Sequence, residues 1–143
     1  MTQDEVTTRL AAAIAARDAE AFEDALTHAY RAGLPSTLSE LLGEALLMDW
    51  HTRHEDVASA LQQLKDPKTV DALFTAATAT HAYLDYDEFF GLARKCTWAL
   101  ADIGTPQAKD HLRTLAKSTN ELIAGYAQKR LDRWDAEAPR KRQ

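Results

Sequence analysis

Two stretches of the chain follow one pattern, in which a helix ends in apolar residues before a turn and a proline. Residues 60–67 read ALQQLKDP and residues 99–106 read ALADIGTP, at an offset of 39. Leu73 and Leu112 keep this offset beyond the prolines, and a fainter copy begins at Pro35. Each unit is a helical pair that cannot bury its apolar face alone, so we expect neighbouring pairs to stack.

Composition favours helices throughout the chain. There are 27 Ala and 18 Leu against 3 Val and 3 Ile among the 143 residues. Ala and Leu are strong helix formers, whereas strands favour β-branched residues, so the sequence predicts an all-α protein. Eight helices are predicted: 3–17, the stretch from Asp18 to Gly33, one after Ser36, 53–65, one opened by Asp66-Pro67, 87–103, one opened by Thr105-Pro106, and 119–135.

Helix boundaries carry local signals. Asp before Pro67 and Thr before Pro106 are N-cap residues followed by proline at the first helical position. Gly33 and Gly104 are typical of helix C-termini. The segment 78–86 has the weakest helical pattern, so we expect the longest loop there. The sixth helix is predicted to direct five residues inward: Phe89, Ala93, Cys96, Leu100 and Ile103.

The run from Ala93 to Ala108 resembles the HEAT family, and more closely the HEAT-like repeats named after bilin lyases. The likeness extends over about 34–134. It implies a short right-handed α-solenoid of about four antiparallel helical hairpins, with the second helix of each pair lining the concave side. We expect one domain over 1–137, in which 1–33 form an N-terminal capping hairpin, and a frayed basic tail at 138–143.

The charge distribution bears on the type of partner. The net charge is −5, made up of −7 in residues 1–64 and +2 in residues 65–143. An acidic half disfavours nucleic acid, which needs a basic surface. It suits a basic protein, and the alternative is that the charge serves solubility alone. No apolar run is long enough to span a membrane. The start lacks a basic leader region and Cys96 is the only cysteine, so we expect a cytoplasmic protein.

One cluster of potential ligands contains Asp49, Trp50, His51, His54 and Glu55. His51 and His54 are spaced so that one helical turn could present both to a metal. Arg53-His54-Glu55 also resembles the His-Glu motif of the HEAT-like deoxyhypusine hydroxylases. The resemblance implies that several such motifs would be needed to hold a di-iron centre. The next repeat has two basic residues at the matching place, so we expect no metal and no cofactor, and interpret the cluster as a polar helix start or a partner contact.

A second cluster is acidic and aromatic, and consists of Tyr83, Asp85, Tyr86, Asp87 and Glu88. Tyrosine is common at interface hot spots, and the carboxylates could face Lys or Arg of a partner. The alternative is a helix start, with acids at the N-terminus and tyrosines packed against it.

These observations favour a module that binds another protein through its concave face and adjoining loops. A specific form is a bacterial immunity protein that neutralises a toxin. The alternative is a HEAT-like enzyme or enzyme accessory of the lyase or metal-dependent hydroxylase type. No catalytic residue is predicted, because no Ser, His or Cys has the partners that nucleophilic catalysis needs. The oligomeric state is left open.

Overall fold

A computed structural model describes the backbone of residues 2–141 and the side chains of residues 2–138. Within that range it contains helices and turns but no strand, which confirms the all-α prediction. The helices are α1 Gln3–Ala16, α2 Ala19–Arg31, α3 Ser39–Leu46, α4 His54–Leu64, α5 Val70–Ala77, α6 Gly91–Ile103, α7 Pro106–Leu115, α8 Glu121–Asp132 and α9 Trp134–Lys141. Single 3-10 turns occupy Ser36–Leu38, Pro67–Thr69 and Ala82–Leu84.

Successive helices pack as hairpins, α1 with α2, α3 with α4, α5 with α6 and α7 with α8. The hairpins also touch their neighbours layer by layer. The first helices α3, α5 and α7 pack in sequence, as do the second helices α4, α6 and α8. This is the two-layer stacking of a helical repeat protein, in which each unit contacts only its neighbours. The right-handed sense of the coil and the single-domain boundary at 137 stay predictions.

The 39-residue repeat corresponds to equivalent buried positions. Leu61 in α4 and Leu100 in α6 are both fully buried, and Leu73 in α5 and Leu112 in α7 repeat this in the first layer. Each leucine therefore lies in a core shared between adjacent hairpins. Burying one such side chain contributes roughly 1.5–3 kcal/mol of transfer free energy.

The predicted caps are present. The Asp66 carboxylate accepts from the Lys68 N–H at 3.0 Å, and the Thr105 hydroxyl accepts from the Ala108 N–H at 3.1 Å. Gly33 and Gly104 both have positive φ, at 81° and 72°, as their helix-ending role requires. These boundaries depend on residues within four positions, which is why the sequence predicts them well.

The predicted start of the sixth helix is wrong. The predicted helix began at Asp87, but α6 begins at Gly91. The Asp87 carboxylate accepts from the N–H groups of Phe89 and Gly91 at 2.9 and 2.8 Å, and Phe90 has a φ of 53°. These contacts hold 87–90 outside the helix. Phe89 is therefore 71% exposed, and the prediction that it faces inward is wrong.

A ninth helix extends the chain beyond the predicted eight. α8 ends at Asp132, and α9 continues to Lys141, so part of the predicted tail at 138–143 is helical. Arg130 of α8 and Glu137 of α9 form a buried ion pair, with Nη1 2.8 Å from Oε1. This pair fixes α9 against the last hairpin. Arg142 and Gln143 lie outside the described residues.

Candidate functional site

His51 lies in the connection 47–53 between α3 and α4, and both of its ring nitrogens are engaged. Nε2 is 2.7 Å from the Ala45 carbonyl oxygen, and Nδ1 accepts from the Arg53 N–H at 3.0 Å. A carbonyl only accepts, so the proton of the neutral ring is on Nε2. The ring is buried, and it packs against Phe22 of α2 at a centroid distance of 4.6 Å.

His54, the first residue of α4, is held in the same way. Its Nε2 donates to the Met48 carbonyl oxygen at 2.5 Å, and its Nδ1 accepts from the Tyr83 hydroxyl at 2.6 Å. The Tyr83 oxygen also accepts from the His54 backbone N–H at 3.2 Å. Tyr83 belongs to the connection 78–90 between α5 and α6, so this histidine joins two consecutive hairpins.

The two rings are part of a column of four stacked or tilted rings, which we call the ring row: Phe22, His51, His54 and His81. His51 and His54 stack at 4.1 Å between centroids, and His54 and His81 stack at 3.7 Å. Burial lowers the pKa of His54 from 6.5 to about 4 and also lowers the pKa values of His51 and His81. The three imidazoles are therefore neutral near pH 7.

The ring row corrects two of the predicted partner contacts. His51 and His54 are 2% and 0% exposed, so neither presents a surface to another protein. Their nitrogens are also occupied by backbone and tyrosine groups. Among residues 2–138, no group of three or more His, Cys, Asp and Glu side chains could hold a metal ion. The role of the two histidines is to fix the connections.

The second half of the long connection, residues 84–90, is held from two sides, and we call it the presenting segment. Asp87 caps it internally through Phe89 and Gly91. Tyr126 of α8 donates its hydroxyl to the Phe89 carbonyl oxygen at 2.5 Å. Upstream, Tyr83 is held by His54. The segment therefore has a defined conformation, although residues 85–90 belong to neither helix nor strand.

Three aromatic side chains project from the presenting segment, and we call them the aromatic rim: Tyr86, Phe89 and Phe90. They are 80%, 71% and 41% exposed. Large apolar side chains grouped on a fixed surface segment are typical of protein-binding sites, because water contact with them is unfavourable.

Beside the aromatic rim lies a cleft of about 660 Å³, the edge cleft. Its walls come from the end of α5, the connection 78–90, the first turn of α6 and the start of α8. Ala77, Leu84, Leu92 and Ile123 supply apolar surface. Three acids also line it, namely Asp85, Asp87 and Glu88. Predicted contact residues are thus brought together at one place.

A shallower groove of about 570 Å³ runs between α4 and α6 in the layer of second helices. Glu55, Arg94, Lys95 and Trp98 line it, so it carries both signs of charge. The Arg130 guanidinium covers the Trp98 ring at 3.5 Å. Trp98 is therefore half-buried and fixed rather than fully in the core. The groove adjoins the presenting segment, because Gly91 borders both the groove and the edge cleft.

Cys96 of α6 is fully buried, and burial raises the pKa of its thiol to about 12. The thiolate is the nucleophilic form of cysteine, so this side chain is inert at neutral pH. Its position agrees with the prediction that it fills the core.

Residues 92–118 match the family model described as PBS lyase HEAT-like repeat. The match runs from α6 through the turn at Gly104 and across α7. This helix–turn–helix repeats along the stacked hairpins. The chain therefore contains a HEAT-like repeat within its all-α stack of hairpins. No curated protein and no solved structure matches it.

Within residues 2–141, the chain has no helix that is long and apolar enough to cross a membrane. The predicted contact residues divide into two groups. Asp85, Tyr86, Asp87 and Glu88 lie at or beside the edge cleft, together with Tyr83 as their anchor. Asp49, Trp50 and Glu55 lie in or near the shorter connection. Asp49 is exposed, Trp50 packs edge-on against Phe22 and Glu55 lines the groove.

Sequence reasoning missed four contributors: His81, Phe89, Phe90 and Tyr126. Phe89 and Phe90 were hidden by the apparent continuation of the helical pattern to Asp87. His81 and Tyr126 contact partners 27 and 37 residues away, at His54 and Phe89. The Asp87 spacing to Gly91, which permits a carboxylate cap, is the one signal that could have placed the aromatic rim outside the helix.

Proposed function

We propose that this chain binds another protein, using the aromatic rim and the adjoining face of its second helices. The observation that carries the proposal is the exposure of Tyr86 and Phe89 on a segment that follows the hydrogen-bonded Tyr83 and is held at its other end by Asp87 and Tyr126. Helical repeats of this type present extended surfaces to partner proteins. A fixed conformation reduces the entropy lost on binding, so these side chains suit an interface.

A matched set of variants tests the proposal. The tagged chain is incubated with lysate of its native host, and bound proteins are identified by mass spectrometry. The double variant Tyr86→Ser, Phe89→Ser should lose a stoichiometric partner that the parent chain retains. Leu47→Ser is the control, because Leu47 is also 52% exposed but lies on the shorter connection. Equal capture by all three proteins would overturn the proposal.

The finer form of the proposal is that the chain is an immunity protein of the bacterial cytoplasm that blocks a toxin. The net charge of −5 and the single cysteine among these 143 residues support this form. Co-expression with the product of the neighbouring gene tests it. Growth should be restored by the parent chain and not by the Tyr86→Ser, Phe89→Ser variant. A neighbouring product that is harmless by itself would count against this form.

Binding rather than catalysis is the activity we propose. His51 and His54 have both ring nitrogens engaged, and the Cys96 thiol is buried. An enzyme would need a reactive group that faces a substrate. The lyase and hydroxylase alternatives predict stoichiometric metal or a bound tetrapyrrole in the purified protein, which elemental analysis and absorption spectroscopy would detect.

A further inference from the structure

We propose that the edge cleft receives a large apolar side chain of the partner protein together with an adjacent Lys or Arg. The inference rests on the proposed function, because it specifies the chemistry of the segment that the partner supplies. The proposed occupant is a peptide segment of the partner that is both basic and apolar. The apolar lining of the cleft and its acidic charge favour such a segment.

The lining of the cleft suits an apolar side chain. Ala77, Leu92 and Ile123 are buried core residues that line it, and the half-buried Leu84 adds further apolar surface. The volume of about 660 Å³ is larger than one side chain, so neighbouring residues of the segment can enter as well. Phe90 also lines the cleft and is partly exposed to solvent. Apolar contact of this kind gives most of the affinity at protein interfaces.

The charge of the cleft selects the flanking residue. Asp85, Asp87 and Glu88 line it, and no Lys or Arg does so in the described part of the chain. Asp87 is committed to capping Phe89 and Gly91. The side-chain carboxylates of Asp85 and Glu88 make no hydrogen bond or ion pair with the residues that the structure describes. Two free carboxylates at the edge of an apolar site attract a cation and repel an acidic segment.

His81 contributes a fixed ring to the cleft. His81 lines the cleft, and its Nε2 is buried with no hydrogen-bond partner within the described residues. The ring is stacked on His54 at 3.7 Å between centroids, so it is fixed in place. His81 is therefore a rigid part of the cleft wall.

Three synthetic peptides of equal length test the inference by NMR on the ¹⁵N-labelled full chain. The first has a central Phe flanked by Lys and Arg, the second replaces the basic residues with Glu, and the third replaces Phe with Ser. The first should shift the amides of Ala77, Leu84, Gly91 and Ile123. The second should shift none of them, and the third should bind at least about tenfold more weakly, since it lacks the apolar anchor.

A matched pair of charge reversals tests the contribution of the carboxylates. Glu88→Lys should weaken binding of the first peptide about tenfold, because an attraction becomes a repulsion. Glu44→Lys makes the same chemical change at an exposed site on α3, away from the cleft, and should leave binding unchanged. Both sites are exposed, so neither variant disturbs the core.

Several outcomes would overturn the inference. These are the absence of shifts with the first peptide, equal binding of the Glu-flanked peptide, shifts confined to another face, or equal loss with Glu44→Lys. Shifts of the same amides on dilution of the chain alone would assign the cleft to a second copy. If capture of the native partner depends on Tyr86 and Phe89 but not on Glu88, the proposed function stands and this inference fails.

Discussion

The connections 47–53 and 78–90 occupy the same place in consecutive hairpins, between a first and a second helix. They differ in whether their ring-bearing side chains are buried or exposed. The shorter connection places His51 in the interior. The longer one exposes Tyr86 and Phe89 to solvent. They meet where His81 and Tyr83 contact His54. The comparison shows that a buried connection can serve as the anchor that fixes an exposed one.

The largest effect is expected from removing the contact between the two connections. His54→Ala deletes a buried ring and leaves the Met48 carbonyl and the Tyr83 hydroxyl without their partner. We expect a loss of about 3 kcal/mol in the free energy of unfolding, measured by urea denaturation. His28→Ala, at a partly exposed position of α2, should cost less than about 0.5 kcal/mol. Similar losses for the two variants would show that the His54 contact does not anchor the longer connection.

The second largest effect is expected from acid, which should weaken the contact of His54 between the two connections. The pKa of His54 is about 4 in the folded protein against 6.5 ordinarily, because burial disfavours the charged ring. The unfolded chain therefore binds more protons between these values. Stability should be full above about pH 6.5 and should fall as the pH decreases toward 4.

The measurement is the urea midpoint as a function of pH, for the parent chain and for His54→Phe. The phenylalanine keeps a ring in the row but cannot titrate, so its profile should be flatter in this window. Parallel profiles for the two proteins would show that the carboxylates, and not the ring row, control the acid response.

A smaller effect is expected where the presenting segment joins α6. A Cβ added at Gly91 would lie 2.8 Å from Asp87 Oδ2, so Gly91→Ala must displace the capping carboxylate. We expect a loss of about 1 kcal/mol, the typical value of a cap. Gly125→Ala in α8 meets nothing within 4 Å and should instead stabilise the protein by up to about 1 kcal/mol. Thermal denaturation of both variants would reveal the difference in sign.

The least effect on stability is expected from the aromatic rim itself. Tyr86→Ser and Phe89→Ser remove side chains that are 80% and 71% exposed. Each should change the free energy of unfolding by less than about 0.5 kcal/mol while abolishing partner capture. A loss near that of His54→Ala would mean that the rim supports the fold and is not held for binding.

The sequence predicts those parts of the fold that depend on local chemistry. The caps at Asp66 and Thr105 and the ends at Gly33 and Gly104 are set by backbone groups within a few residues, so composition and spacing suffice. The stacking of hairpins follows from the repeat, because equivalent leucines must be buried by a neighbour.

The candidate site was predicted only in part, for a physical reason. The apolar pattern of α6 continues upstream to Phe89, so the helix was predicted to begin at Asp87. The Asp87 cap and the positive φ of Phe90 delay its start by four residues, to Gly91. Two local hydrogen bonds thus outweigh helical periodicity. The partnership of His54 with His81 links distant connections, and no pattern in a single sequence marks which polar rings will stack.

The burial of Cys96 has a practical consequence. Since the native thiol is protonated and enclosed, a thiol introduced by Tyr86→Cys would be the site at which a maleimide dye attaches. Its emission would report when a second molecule covers that corner of the repeat stack, without removal of the native cysteine.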